Sequence, residues 1–140
     1  MPNTNHLIIH GDGGSRGNPG EAAYGFVISQ SGKVLYEEGK TIGINTNNVA
    51  EYSAVIEALK YVHKNKDLTY DAIHFFLDSK LVVEQMNGRW KIKNEILRNK
   101  FFTIKSLEKT LNSKITYVHI PREKNTEADR MVNLALDGLV

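Results

Sequence analysis

Apolar residues recur at two different periods along this chain, and the switches between them outline its elements. Leu7 to Gly11 alternates as a short strand, ends in Asp12, and runs into a glycine-dense stretch, Gly13-Gly14-Ser15-Arg16-Gly17-Asn18-Pro19-Gly20, that predicts a loop. Ala22 to Gln30 and Lys33 to Gly39 predict two more strands joined by a tight Ser31-Gly32 turn, so three antiparallel strands come first. From Asn48 to about His63 the period becomes helical, with Tyr52, Val55, Ile56, Leu59 and Val62 on one stripe. A strand over Ala72 to Leu77 leads into a short helix from Ser79, carrying Leu81, Val82 and Met86 and stopped by Asn87-Gly88. Asn94 can cap a longer helix that buries Leu97, Phe101, Ile104, Leu107 and Leu111, and Ile115 to Ile120 predicts a fifth strand before Pro121. A last helix, from about Glu127, turns Ala128, Met131, Val132, Ala135, Leu136 and Leu139 to the core.

The predicted order is β-β-β-α-β-α-α-β-α, which implies an α/β fold with a mixed five-stranded sheet and helices on its faces. At 140 residues and 41% hydrophobic the chain fits one domain, residues 1–140, with no repeat or linker. Its net charge of +2 announces no partner, but Arg89, Lys91, Lys93, Arg98, Lys100 and Lys105 cluster around Trp90 with Glu95 the single acid among them. The absence of cysteine excludes thiolate metal sites, disulfides and cysteine nucleophiles. With no signal-like leader and no apolar run near the roughly 20 residues of a membrane span, the chain is expected to be a soluble cytoplasmic protein, without a membrane association and monomeric.

Four acids occupy element ends. Asp12 and Asp78 end strands expected to be buried, while Glu51 and Asp129 fall in first helical turns. Each has an ordinary structural explanation. Asn48-Val49-Ala50-Glu51 has the spacing of a capping box, Thr126-Glu127-Ala128-Asp129 resembles one with Asp in place of Glu, Asp78 lies near a helix cap, and Asp12 precedes a turn glycine. Gathered at one end of a sheet, however, four carboxylates would repel unless cations stood between them. Oxygen ligands of this kind select Mg²⁺ or Mn²⁺, and two such ions roughly 3.5–4 Å apart suit hydrolysis of a phosphodiester.

At these residues the chain resembles the type 1 ribonucleases H (ribonuclease HI). The resemblance runs from Leu7 to about Leu136, through Asp12-Gly13-Gly14-Ser15-Arg16-Gly17-Asn18-Pro19-Gly20, Thr46-Asn47-Asn48-Val49-Ala50-Glu51, Leu77-Asp78-Ser79 and Asn125-Thr126-Glu127-Ala128-Asp129-Arg130-Met131-Val132-Asn133. It implies a ribonuclease H-like fold and endonucleolytic cleavage of the RNA strand of an RNA–DNA hybrid, leaving 5′-phosphate and 3′-hydroxyl ends. It also implies two Mg²⁺ ions, replaceable by Mn²⁺: Asp12 would bridge both, Glu51 and Asp78 would complete one site, and Asp129 would help hold the other. No covalent intermediate is implied, in keeping with the absence of cysteine and of a Gly-x-Ser-x-Gly motif.

The hybrid would meet the same segments. Gly13, Gly14 and Ser15 permit close backbone approach, and Asn18, Thr46, Asn47 and Asn48 match family positions that touch the hybrid, although turn and cap chemistry explains them equally well. Arg89, Lys91 and Lys93 with Trp90 would hold phosphates of the DNA strand, or else form a solvated helix face with a buried Trp. The chain departs from the family pattern in three places. His119 falls inside the fifth strand instead of a mobile loop, making Arg122 of Pro121-Arg122 the expected electrostatic substitute. Lys80 stands where a glutamine is common, and the Gly88–Asn94 segment is too short for the basic protrusion helix of longer members, which predicts weaker, more salt-sensitive hybrid binding. Two alternatives remain open here: a hybrid-binding module that does not cleave, and a DNA nuclease or resolvase on the same fold.

Overall fold

In the computed structural model, which describes residues 5–140, the elements follow in the predicted order. They are β1 (His6–Arg16), β2 (Gly20–Gln30), β3 (Lys33–Asn45), α1 (Asn47–Lys64), β4 (Ala72–Leu77), α2 (Lys80–Met86), α3 (Glu95–Leu111), β5 (Lys114–His119) and α4 (Thr126–Leu136). A single 3₁₀ turn over Arg122–Lys124, absent from the periodicity, joins β5 to α4. The sheet order is β3-β2-β1-β4-β5, with β1 antiparallel to β2 and parallel to β4, and β4 parallel to β5. Ser31 and Gly32 both take positive φ, 53° and 78°, the geometry that suits a two-residue hairpin turn.

Two strands run further than hydrophobic alternation predicts. The glycine-dense stretch after Asp12 is not a loop. Gly13, Gly14, Ser15 and Arg16 stay in β1, paired with Tyr24, Ala23, Ala22 and Glu21 of β2, and only residues 17–19 turn. Asp12 is therefore inside a strand, opposite Gly25, and is not a turn residue. β3 likewise continues past Gly39 to Asn45. Glycine hides a strand from a hydrophobicity pattern because it brings no side chain to alternate.

The main core lies between the sheet and the α1–α2–α3 layer. Leu7 and Ile9 of β1, Phe26 and Ile28 of β2 and Ile73, Phe75 and Leu77 of β4 pack there against Tyr52, Val55, Leu59 and Val62 of α1, Val82 of α2 and Ile104 of α3. Tyr52 lends its hydroxyl to Gln85 of α2, whose amide donates to the Lys91 carbonyl at 3.1 Å, so the buried layer also holds the basic segment in place. The opposite face carries α4 over β2, β3 and β1, with a small cluster of Ala23, Val132 and Ala135 and the half-buried Leu136. Leu139, predicted to face the core, lies beyond the end of α4 and is 68% exposed. No helix among the described residues is long and apolar enough to cross a membrane.

Both layers rest on glycine. A Cβ on Gly13 would lie 2.2 Å from the Ala50 carbonyl carbon of α1, and one on Gly39 would lie 2.3 Å from the Met131 carbonyl oxygen of α4. Gly39→Ala is expected to push α4 off the sheet and destabilise the protein by at least about 2 kcal/mol in urea unfolding. Gly32→Asn, at a turn with nothing within 4 Å, is expected to change stability by less than about 1 kcal/mol.

Candidate active site

Three of the four acids meet where β1 and β4 stop pairing. Gly11 is the last residue of β1 in register with β4, opposite Leu77, so Asp12 and Asp78 follow one another out of adjacent parallel strands. Glu51 arrives from α1, whose start is set by Thr46: its hydroxyl accepts from the Val49 amide at 3.2 Å, and no capping box forms at Asn48. Glu51 reaches across to β1 instead, accepting from the Gly13 amide through Oε1 at 3.2 Å. One carboxylate oxygen each from Asp12, Glu51 and Asp78 lie within 4.8 Å of one another. Asp129, on the first turn of α4, lines the same cleft but stands outside that group, with Asn133 donating to its Oδ2 at 3.4 Å. The second expected capping box is also absent, since α4 has no side-chain cap.

Crowding of buried charge governs the cluster. Asp12 and Glu51 are 5% and 6% exposed. Burial pushes the Asp12 carboxyl up to about 7, helped by the charges of Asp78 and Asp129 and opposed by its contact with Glu51. Burial, then the Asp12 charge, drives Glu51 well above the carboxylate range. Glu51 Oε2 has no hydrogen-bond partner. Among the described residues no Lys or Arg pairs with Asp12, Glu51 or Asp78. A buried acceptor without a donor, three converging carboxylates and no protein cation form an oxygen-only donor set that fits a hard divalent ion.

Asn125 was not singled out from the sequence. Wholly buried, it donates through Nδ2 to the Gly11 carbonyl at 2.9 Å and to Asp78 Oδ2 at 3.0 Å. It occupies the N-cap of α4 without capping it, forgoing an interaction worth about 1 kcal/mol. An Asn three residues ahead of Ala128-Asp129 was the available signal, and a cap was its natural reading.

The cleft above the acids has a volume of about 380 Å³, with Gly13, Gly14, Ser15, Asn47, Asn48 and Arg122 on its walls. Asn47 is also a latch: its Oδ1 accepts from Ser15 N at 2.8 Å and Ser15 Oγ at 3.0 Å, while its backbone N–H donates to Asn18 Oδ1 at 3.0 Å. Asn18, Thr46 and Asn48 line a second groove of about 400 Å³ beside Ile44 and Ile96. Lys80, Arg89, Trp90, Lys91 and Lys93 line neither. Residues 89–94 are not helical, and Trp90 is 44% exposed with Lys80 Nζ 6.0 Å from its ring centroid, so a helix face with a buried Trp is not what forms. Arg89 is held by Glu84 through two bonds of 2.7 and 2.8 Å. His119 is the last residue of β5, in the strand where it was expected, and its side chain is exposed.

Known proteins resemble this chain in sequence and fold. A family model described as reverse transcriptase-like matches residues 10–135. The bifunctional protein Rv2228c of Mycobacterium tuberculosis is 44% identical over 134 residues, which cover 94% of this chain and 36% of that protein. Ribonuclease HI of Halobacterium salinarum is 42% identical over 127 residues, covering 90% of this chain and 62% of its own. The chain thus spans less than two thirds of these relatives. Ribonuclease H of Ruthia magnifica, 33% identical over 152 residues, is matched over 98% of its length and 96% of this chain. Among solved structures, LC11-RNase H1 in complex with an RNA/DNA hybrid superposes with a TM-score of 0.87 at 43% identity, covering 94% of this chain and 97% of that one. RNase H1 from Halobacterium salinarum gives 0.87 at 37% identity, covering 95% and 98%. On these matches in sequence and fold, the chain belongs to the ribonuclease H family, in its type 1 branch.

Proposed function

We propose that this chain is an endoribonuclease that hydrolyses the RNA strand of RNA–DNA hybrids, leaving 5′-phosphate and 3′-hydroxyl ends, with Asp12, Glu51, Asp78 and Asp129 holding two divalent cations. The observation that carries it is the convergence of Asp12, Glu51 and Asp78 within 4.8 Å, with Glu51 Oε2 buried and unpartnered, at the foot of an open cleft. Further support comes from LC11-RNase H1, a relative solved with an RNA/DNA hybrid. Mg²⁺ is the expected ion, with Mn²⁺ able to replace it.

Bound there, such ions supply positive charge to the attacking and leaving oxygens of an in-line displacement. The protein's part is placement. β1 and β4 fix Asp12 and Asp78 side by side, the Gly13 amide fixes one oxygen of Glu51, and α4 brings Asp129 to the facing wall. The water oxygen bonds to phosphorus and gives up a proton to solvent, the P–O3′ bond breaks, and O3′ takes up a proton in turn, so the proton count balances. Arg122, permanently charged and on the cleft wall, steadies the charge gathering on the phosphate. The Gly13-Gly14 backbone with Ser15, Asn18, Thr46, Asn47 and Asn48 offers short polar groups to a minor groove bearing 2′-hydroxyls, which DNA lacks. Lys80, Trp90, Lys91 and Lys93 take the DNA backbone further along. In this reading the chain acts as one catalytic domain and as a monomer, with no obligate protein partner, in the cytoplasm.

Asp12→Asn and Asp78→Asn are each expected to lower Mg²⁺-dependent cleavage of a 5′-labelled RNA annealed to DNA at least about 1000-fold, with circular dichroism unchanged. Cleavage by a folded Asp12→Asn protein at the unaltered rate would falsify the mechanism. Without metal, folding takes up a proton at Asp12, because its carboxyl rises from 3.8 when unfolded to about 7 when folded. The stability this confers is complete below the unfolded value and is lost as pH climbs through about 7, so the EDTA-treated protein is expected to melt about 5 °C or more lower at pH 8 than at pH 5. Millimolar Mg²⁺ should reverse the pH 8 loss. Finally, Lys91→Ala and Lys93→Ala should each cut the slope of log affinity against log salt by about 1, while Arg89→Ala changes it less because Glu84 already engages that guanidinium.

A further inference from the structure

The most deeply buried polar residue among those described is Asn125, at 0% exposure. An asparagine at a helix start ordinarily turns its oxygen onto the first amides of its own helix. Asn125 makes no such bond, and its Nδ2 donates inward to the Gly11 carbonyl and to Asp78 Oδ2. Those two acceptors fix the amide's orientation, because a flipped amide would set Oδ1 against both. In the orientation that remains, Oδ1 is buried with no donor, one of two such side-chain atoms among the described residues; the other is Glu51 Oε2 in the acid cluster. A local preference overridden and an acceptor left unmatched beside a reaction site point to a residue kept for that site.

Asp78 needs an anchor more than its neighbours do. Asp12 and Glu51 are clamped by burial, whereas Asp78 follows the last residue of β4 and is only half-buried. Asn125 ties one Asp78 oxygen to the carbonyl of the residue before Asp12, and does so from the turn that also carries Arg122 and starts α4 with Asp129. We propose that Asn125 is a positioning residue that locks one oxygen of Asp78, aims the other at Asp12 and Glu51, and thereby sets the affinity of the acid cluster for divalent cations. This rests on the divalent-cation function of the acids proposed above. Partners of this kind behind metal ligands typically govern affinity 10- to 100-fold.

The test is Mn²⁺ binding, followed by electron paramagnetic resonance without nucleic acid, in the unaltered chain, in Asn125→Leu, of similar volume but without a donor, and in Asn125→Ala. The expected result is Mn²⁺ affinity weakened about 10-fold or more in both variants. Affinity for an RNA–DNA hybrid in EDTA should change less than about 2-fold, and cleavage by the variants should recover as Mn²⁺ is raised. A purely structural residue would lower the melting temperature and leave Mn²⁺ affinity alone, so a folded variant that binds Mn²⁺ like the unaltered chain overturns the proposal. Should neither variant fold, the ¹⁵N side-chain amide of Asn125 in the unaltered chain decides. Its resonance is expected to shift along the Mg²⁺ saturation curve, and no shift at saturation overturns the proposal. Failure of the unaltered chain to bind Mn²⁺ at all overturns the metal function of the acids, and this proposal with it.

Discussion

The first turn of α1 lies directly on the backbone of β1, with no side chain between them, and much of the molecule follows from that contact. It requires a residue without Cβ at Gly13, since any other would place carbon 2.2 Å from the Ala50 carbonyl carbon. The same contact brings the Gly13 amide to Glu51 Oε1, so the peptide group next to Asp12 becomes the support of the second acid. It also frees Glu51 from capping its own helix, a task left to Thr46. One steric constraint thus places two carboxylates, leaves them little exposed, and keeps the upper half of β1 in the sheet where sequence composition predicts a loop.

Placing acids this way works against stability. Removing carboxylates from water and setting them side by side favours the protonated form, which raises the pKa of both Asp12 and Glu51. The large core on the α1 face can offset that, since it joins β1, β2 and β4 to three helices in one cluster. The smaller α4 face contributes less packing and more chemistry, carrying Asp129 and, at its start, Asn125. Unsatisfied acceptors and a forgone helix cap are tolerated at this site, while the other buried side-chain polar atoms among the described residues have hydrogen-bond partners.

The basic segment, proposed to hold the DNA backbone, obeys the same physics. Its backbone is pinned through Gln85 to Tyr52 in the core, while Trp90 and the Lys side chains remain at the surface. Net charge does not distinguish Arg89 from Lys91, but Glu84 does, because a guanidinium engaged twice by a carboxylate has less to offer a phosphate.

Element order, the identity of the acids and the class of metal they suit were determined by the sequence alone, because hydrophobic period and oxygen chemistry are local properties of residues such as Val55, Leu59 and Asp78. The Ser31-Gly32 turn was legible for the same reason, as short-range backbone chemistry, whereas the helix cap expected at Asn48 falls at Thr46. Only the tertiary structure decided that Asp12 lies within a strand, that Glu51 answers Gly13, that Asp129 stands apart from the other three acids, and that Asn125 turns inward to Asp78. The first, second and last of these depend on neighbours between 13 and 114 positions away in the chain, as Asp12 does on Gly25 and Asn125 on Gly11. A local pattern carries no record of such neighbours, and asparagine or glutamate at a helix start looks like a cap until the sheet beneath it supplies a better partner.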